Sequence, residues 1–163
     1  MVSISTATAL REAGLEWTPR TLDFFAIPSP DFEDQIFVIN DMTIMAESIG
    51  GRLAITFHGS VEWALDHLWA GEVLWLPRED QLREMLEERL PGEAQPALVF
   101  STTQLGYRCD IRFRGQKLRF EEFDPGETYA AALLHVLRSL GYDLDWTFHG
   151  RKVQSASNEA QIG

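Results

Sequence analysis

Apolar and charged side chains alternate without a break between residues 107 and 114. The apolar members are Tyr107, Cys109, Ile111 and Phe113, and the charged members are Arg108, Asp110, Arg112 and Arg114. A period of two puts each set on its own face of a strand, so one face is buried and the other meets solvent. Gly115-Gln116 predicts a turn into a second strand, Lys117–Glu122, whose Leu118 and Phe120 continue the apolar face. The stretch therefore predicts an antiparallel hairpin with one face in a core.

A helix is predicted directly after this hairpin. Asp124 suits the N-cap, Pro125 the first helical position and Glu127 the third position of a capping box. Apolar residues at helical spacing follow as far as Leu140, and Gly141 is the predicted stop. The apolar arc is wide, so we expect this helix to be the most buried one.

The rest of the chain alternates between shorter helical and extended patterns. Residues 23–58 predict a meander of antiparallel strands, with Gly50-Gly51 as one of its turns. The predicted helices are Ser5–Ala13, Val61–Ala70 and Arg78–Leu90, and the further predicted strands are Asp23–Ile27, Gln35–Asn40, Thr43–Ser48, Arg52–His58, Val73–Leu76, Ala97–Thr103 and Asp143–Phe148.

This order predicts an α+β fold with antiparallel sheet layers and helices packed on one side. We expect a single domain over residues 1–163, with a weak subdivision at 91–96 as the alternative. Two similar helix–strands–helix halves, 5–70 and 78–140, are a second alternative.

Composition narrows the class of protein. The formal net charge is −11, and apolar residues make up 45% of the chain, which favours an acidic globular protein over a disordered one. The longest apolar run, Tyr129–Leu134, is far too short to cross a bilayer. The N-terminal residues lack the pattern of a signal peptide, and a single cysteine cannot form an internal disulfide. We therefore expect a cytoplasmic protein that binds neither a membrane nor duplex nucleic acid.

Positive charge is concentrated in one short segment of this acidic chain. Residues 107–119 carry five bases and one acid: Arg108, Arg112, Arg114, Lys117 and Arg119 against Asp110. One interpretation is a solvent-facing strand surface whose cross-strand partners are Asp110 and Glu121. The other is a site for an anion or an acidic partner.

Trp63 is the second candidate binding residue. If Val61–Ala70 is a helix, a step of about 100° per residue puts Trp63 opposite the apolar stripe and beside Asp66 and His67. Either the C-terminal segment around Trp146 covers this indole, or a partner does.

The third candidate is a small enzymatic cleft made of His58, Asp66 and His67. The spacing does not match the H-E-x-x-H motif of zinc proteases, so neither a metal nor a cofactor is expected. Cys109 shares the apolar face of its strand, which favours a role in the core over a catalytic one.

Five stretches together resemble a family of small bacterial proteins that some genomes label as pilus assembly proteins. They are residues 25–28 (FAIP), 37–43 (FVINDMT), 62–66 (EWALD), 74–82 (LWLPREDQL) and 129–134 (YAAALL). The resemblance implies a bacterial source and a common fold, but no activity. Because G-x-x-x-x-G-K-[ST] is absent, we do not expect ATP to bind.

These observations favour a non-enzymatic interaction or accessory protein that binds a protein partner or itself. The alternatives are the small enzyme above and an acidic protein that neutralises a basic partner.

Overall fold

The computed structural model describes residues 1–33, 35–58, 67–90 and 97–141 and confirms the α+β class. The helices are α1 (Ile4–Glu12), α2 (Glu79–Arg89) and α3 (residues 125–141). The strands are β1 (Phe24–Ala26), β2 (Ile36–Val38), β3 (Ile44–Ile49), β4 (Arg52–Phe57), β5 (His67–Trp69), β6 (Leu74–Leu76), β7 (Leu98–Thr103), β8 (Gly106–Phe113) and β9 (Gln116–Glu122). Short 3₁₀ turns cover Pro30–Phe32 and Ala70–Glu72.

Within the described residues, the strands form three antiparallel sheets of three strands each. Sheet A has the order β2-β1-β6, sheet B has β3-β4-β5, and sheet C has β7-β8-β9. The predicted hairpin is confirmed as β8 and β9.

The meander predicted for residues 23–58 is wrong, because β2 and β3 belong to different sheets. The side chain of Asn40 accepts hydrogen bonds from the backbone amides of Met42 and Thr43, at 2.8 and 2.7 Å. This Asx turn redirects the chain between the two strands. Sheets A and B can then pack against each other rather than continue side by side.

Two hydrophobic cores lie on opposite faces of sheet A. Alternation along β1 and β6 puts Ala26, Leu74 and Leu76 into the main core, together with the buried residues of α1, α2, α3 and β8. Phe25 points to the other face and joins Ile55 of sheet B in the second core. The helices therefore share one core with one face of sheet A and one face of sheet C.

Helix α3 is the most buried of the three helices, as its wide apolar arc predicts. Its buried hydrophobic residues are Tyr129, Ala130, Ala132, Leu133, Val136 and Leu137, whereas α1 and α2 each bury two. The predicted stop at Gly141 cannot be compared, because residues 142–163 lie outside the described part of the chain.

The predicted helix Val61–Ala70 is wrong over its last turn, where residues 67–69 form strand β5. Thr56 pairs with His67, Ile55 with Leu68 and Ala54 with Trp69. Leu68 packs against the second core beside Ile55, so burial on an open strand edge overrides the helical pattern. The first of the two proposed halves, residues 5–70, therefore does not end in a helix at residues 67–69. The alternative of two similar halves is not supported in this region.

Residues 59–66, 91–96 and the predicted strand 143–148 lie outside the described residues.

A buried carboxylate joins three parts of the chain. Asp23 is 1% exposed, and its Oδ2 accepts hydrogen bonds from the indole N–H of Trp17 (2.9 Å) and the amide of Arg20 (3.0 Å). Its Oδ1 accepts from the side chains of Gln81 (2.6 Å) and Arg78 (3.3 Å) at the start of α2. Four donors therefore satisfy one buried charge.

We predict that Asp23→Ala lowers the free energy of unfolding by about 3 to 5 kcal/mol, because it leaves Trp17, the amide of Arg20 and Gln81 without this acceptor and takes one of two carboxylates from Arg78. Chemical denaturation of the variant measures this loss. Asp41→Ala is the matched control: Asp41 accepts one bond from the exposed Thr21 and should change stability by about 0.5 kcal/mol or less. Equal losses in the two variants would contradict the role of Asp23.

The start of α3 confirms Asp124 as the N-cap, since its Oδ1 accepts the amide of Glu127 at 3.1 Å. Glu127 does not close a capping box. Its carboxylate instead accepts the amide of Ser3 and the hydroxyl of Thr6, both at 2.6 Å. The first turn of α3 thus holds the N-terminus of α1.

We predict that Asp124→Ala lowers the free energy of unfolding by about 0.5 to 2 kcal/mol, because the first turn loses its side-chain acceptor. Asp124→Asn keeps an acceptor oxygen and should recover most of this loss. Thermal melts of both variants make the comparison. An unchanged melting temperature for Asp124→Ala would show that the cap contributes nothing.

Candidate functional site

Four of the five predicted basic residues, Arg108, Arg112, Lys117 and Arg119, lie on the face of sheet C that points away from the core. Cross-strand register places Arg108 opposite Glu121 and Asp110 opposite Arg119. Both pairs are bonded: Arg108 Nε lies 2.7 Å from Glu121 Oε1, and Arg119 Nε lies 2.8 Å from Asp110 Oδ1. The predicted cross-strand partners are therefore confirmed. The hydrogen bond from Arg119 to Asp110 is the main reason why the pKa of Arg119 is raised, so this guanidinium stays charged.

The next row of the same face carries like charges. Arg112 lies directly opposite Lys117, so this row places two cations next to each other. Arg114, predicted at the end of the strand, instead forms a two-residue turn with Gly115. Their φ angles are +52° and +76°, which is the geometry of a type I′ hairpin. The guanidinium of Arg114 lies 5.1 Å from the centre of the Phe113 ring.

These rows border a shallow basin of about 550 Å³. Its charged lining consists of Arg112, Lys117, Arg119 and Asp110, that is, three cations and one anion. Val99 of β7, which is 48% exposed, adds an apolar wall. The basin can therefore hold carboxylates or phosphates beside a small apolar group.

Sequence reasoning missed the contribution of β7 to this basin. Val99 pairs with Asp110 and so lies on the charged face, although its own pattern gives no sign of it. Only the register between β7 and β8 reveals this placement.

The histidine candidates lie elsewhere, on the face of sheet B opposite the second core. His67 is opposite Thr56, and His58 Nε2 lies 3.1 Å from the hydroxyl of Thr56. Glu47 is 3.8 Å from the same nitrogen of His58. Trp63 and Asp66 lie outside the described residues. Neither histidine lines the sheet C basin or the two cavities next to α1.

Strand β5 changes the neighbours that the helical pattern predicts for His67. Its ring packs edge to face on Trp69, with the ring centres 4.8 Å apart. The guanidinium of Arg52 lies 4.0 Å from the centre of the Trp69 ring, a cation–π contact. The partner of His67 in the structure is thus Trp69.

Within residues 1–33, 35–58, 67–90 and 97–141, no group of three or more His, Cys, Asp or Glu side chains is placed to hold a metal ion. In the same part of the chain, no helix has the length and apolar character needed to span a bilayer.

Cys109 lies in the main core, as its position on the apolar face predicts. Burial raises the pKa of its thiol to about 12, and the nearby Asp110 adds to the shift. Burial also raises the pKa of Tyr129, with Cys109 as the second cause. A thiol with this pKa is a poor nucleophile near neutral pH.

Comparisons of the chain with protein-family models, curated proteins and solved structures found no match. The resemblance to proteins labelled as pilus assembly proteins therefore stays a prediction. The fold and the surface described above define the class only as an α+β protein with a basic basin on one sheet face.

We predict that Cys109 does not react with a thiol reagent at pH 8 while the protein is folded, because a pKa of about 12 leaves about one thiol in ten thousand ionised. Unfolding in denaturant should expose it to full labelling. As a control, Met42→Cys in a Cys109→Ala background puts a thiol at an exposed position and should react at once. Rapid labelling of the folded wild-type protein would contradict the burial of Cys109.

Proposed function

We propose that this protein is a non-enzymatic binding protein, and that the basin of sheet C binds an acidic segment of a partner protein. The observation that carries the proposal is the charge of the basin lining, in which Arg112, Lys117 and Arg119 outnumber the single acid, Asp110. This local excess of positive charge favours a ligand that is negatively charged.

The charge of the whole chain favours a short acidic segment over nucleic acid. With a net charge of −11, the protein repels a long phosphate backbone, whereas the attraction near the basin acts within a Debye length of about 8 Å. A peptide that contacts only the basin meets this local positive field.

The apolar lining of the basin restricts the class of ligand further. Val99 and Ala97 line it beside the cations, and an exposed valine gains from contact with an apolar side chain. The ligand that matches both features is an extended peptide in which acidic and apolar residues are mixed. Arg119 is held by Asp110, so the cationic side of the basin is partly ordered before binding.

We predict that a fluorescent peptide of alternating glutamate and valine binds the wild-type protein, and that Lys117→Glu weakens this binding by about tenfold or more, because it turns attraction into repulsion. Fluorescence anisotropy at low and physiological salt measures both affinities, and salt should weaken binding.

Arg83→Glu is the matched control for this experiment. Arg83 is an exposed residue of α2 that pairs with Glu87, and the substitution changes the net charge by the same two units as Lys117→Glu. The affinity of the Arg83→Glu variant for the peptide should stay within about twofold of the wild-type value, since surface charges far from the site are largely screened. The proposal would be overturned if the wild-type protein did not bind the peptide, or if Lys117→Glu and Arg83→Glu lost equal affinity for it.

A further inference from the structure

Strand β9 is an open edge of sheet C. The sheet has the order β7-β8-β9, and β9 pairs with β8 alone among the residues that the structure describes. An edge strand has one row of backbone N–H and C=O groups without a strand partner, and an extended peptide can pair with that row as an added strand. Because β9 contributes Lys117 and Arg119 to the basin lining, this edge lies next to the basin.

The hairpin register shows which backbone groups of β9 face outward. The amide of Arg112 donates to the carbonyl of Ala97 at 2.8 Å, so the even-numbered residues of β8 bond to β7 and its odd-numbered residues bond to β9. The β9 residues opposite those odd-numbered positions are Gln116, Leu118, Phe120 and Glu122. The N–H and C=O groups of the other three, Lys117, Arg119 and Glu121, therefore point away from β8.

The side chains of β9 offer different surroundings on the two faces of the sheet. On the outer face, Lys117 and Arg119 are exposed cations, and the exposed Glu121 follows them along the strand. On the opposite face, Leu118 and Phe120 are only half-buried against the main core. A strand beside β9 alternates in the same way, so it meets charge at every second residue and apolar surface at the residues between.

The other edge of sheet C, β7, has no charged residue. Its residues on the outer face are Val99, Ser101 and Thr103. Charges on an edge strand keep unrelated strands away, because unmatched charges oppose pairing. The cations of β9 therefore select an acidic strand and disfavour a basic one, whereas β7 does not distinguish between them.

We infer that the acidic segment of the partner binds as an added strand of sheet C, antiparallel to β9; this inference rests on the proposed function. Acidic residues of the segment lie opposite Lys117 and Arg119, a basic or polar residue lies opposite Glu121, and apolar residues contact Leu118 and Phe120. The antiparallel direction is the one that both pairs of neighbouring strands in sheet C use, and it is the more stable pairing.

The first test compares two labelled peptides of equal charge, acetyl-Lys-Val-Glu-Val-Glu-amide and its reverse, acetyl-Glu-Val-Glu-Val-Lys-amide. Antiparallel addition puts the glutamates of the first peptide opposite Arg119 and Lys117 and its lysine opposite Glu121. The reverse peptide puts like charges opposite Lys117 and Glu121. Fluorescence anisotropy should therefore show that the first peptide binds more tightly by about fivefold or more.

The second test removes backbone donors from the first peptide. The N–H groups of its glutamates point to β9, so N-methylation of both glutamates should weaken binding by about tenfold. The N–H groups of its valines point away, so N-methylation of both valines is the matched control and should change the affinity by about twofold or less.

A pair of protein variants tests the same hydrogen bonds from the side of β9. Glu121→Pro removes one outward N–H, which an edge strand tolerates, whereas Glu121→Gln loses the same charge and keeps the N–H. The proline variant should bind the first peptide more weakly than the glutamine variant by about threefold or more.

Amide hydrogen exchange tests the open edge itself. Without peptide, the amides of Arg119 and Glu121 should exchange much faster than those of Leu118 and Phe120, which bond to β8. Saturation with the first peptide should slow exchange at Arg119 and Glu121 by about tenfold or more. Protection of these two amides before peptide is added would show that the edge is already covered, and the inference would be wrong.

Equal affinities of the two peptides, or equal effects of the two N-methylations, would also overturn strand addition. Either result would leave the binding of an acidic peptide in place. If neither peptide bound at all, the proposed function itself would be contradicted, and this inference with it. The failure of strand addition is therefore distinguishable from the failure of the proposed function.

Discussion

The structure depends on the buried charge of Asp23. This one carboxylate lies next to the start of β1 and fixes it to the segment after α1 and to the start of α2, because two of its four donors come from each of those segments. Leu22 shows how strong the constraint is: its φ of +71° is unfavourable for a branched side chain, at a cost of order 1 kcal/mol. That conformation lets the carbonyl of Leu22 accept a hydrogen bond from Arg78 at 2.8 Å, next to Asp23. The strain is therefore offset by the same network.

Arg78 extends this network to the surface of α2. Its guanidinium also forms two hydrogen bonds with Asp80, both of 3.1 Å. The hydrogen bond to Asp80 is the main cause of the raised pKa of Arg78, and the same bond holds the pKa of Asp80 below its usual value. Arg78 thus stays charged, which a buried carboxylate needs in its partner. The orientation of α2 on sheet A follows from this pairing, since β6 ends two residues before Arg78.

Local patterns predicted the parts of the fold that local forces determine. The alternation over residues 107–114 predicted β8 and its basic outer face, and Asp124 marked the start of α3. Non-local features could not be read in this way: β1 pairs with β6, 50 residues later, and β5 is too short to show a period. In the sequence, Asp23 is only the first residue of a predicted strand. Its hydrogen-bond network could not be predicted, because its donors Arg78 and Gln81 lie far along the chain. The register of β7, which puts Val99 in the basin, was hidden for the same reason.

The basin of sheet C differs from the Asp23 network in how much order it has before a partner arrives. The carboxylate of Asp23 is held by four donors inside the protein, so the fold itself fixes its surroundings. The basin is an open strand face whose long cationic side chains lose freedom when a partner binds. Affinity at the basin therefore comes from charge and from the length of the partner segment more than from a preorganised fit.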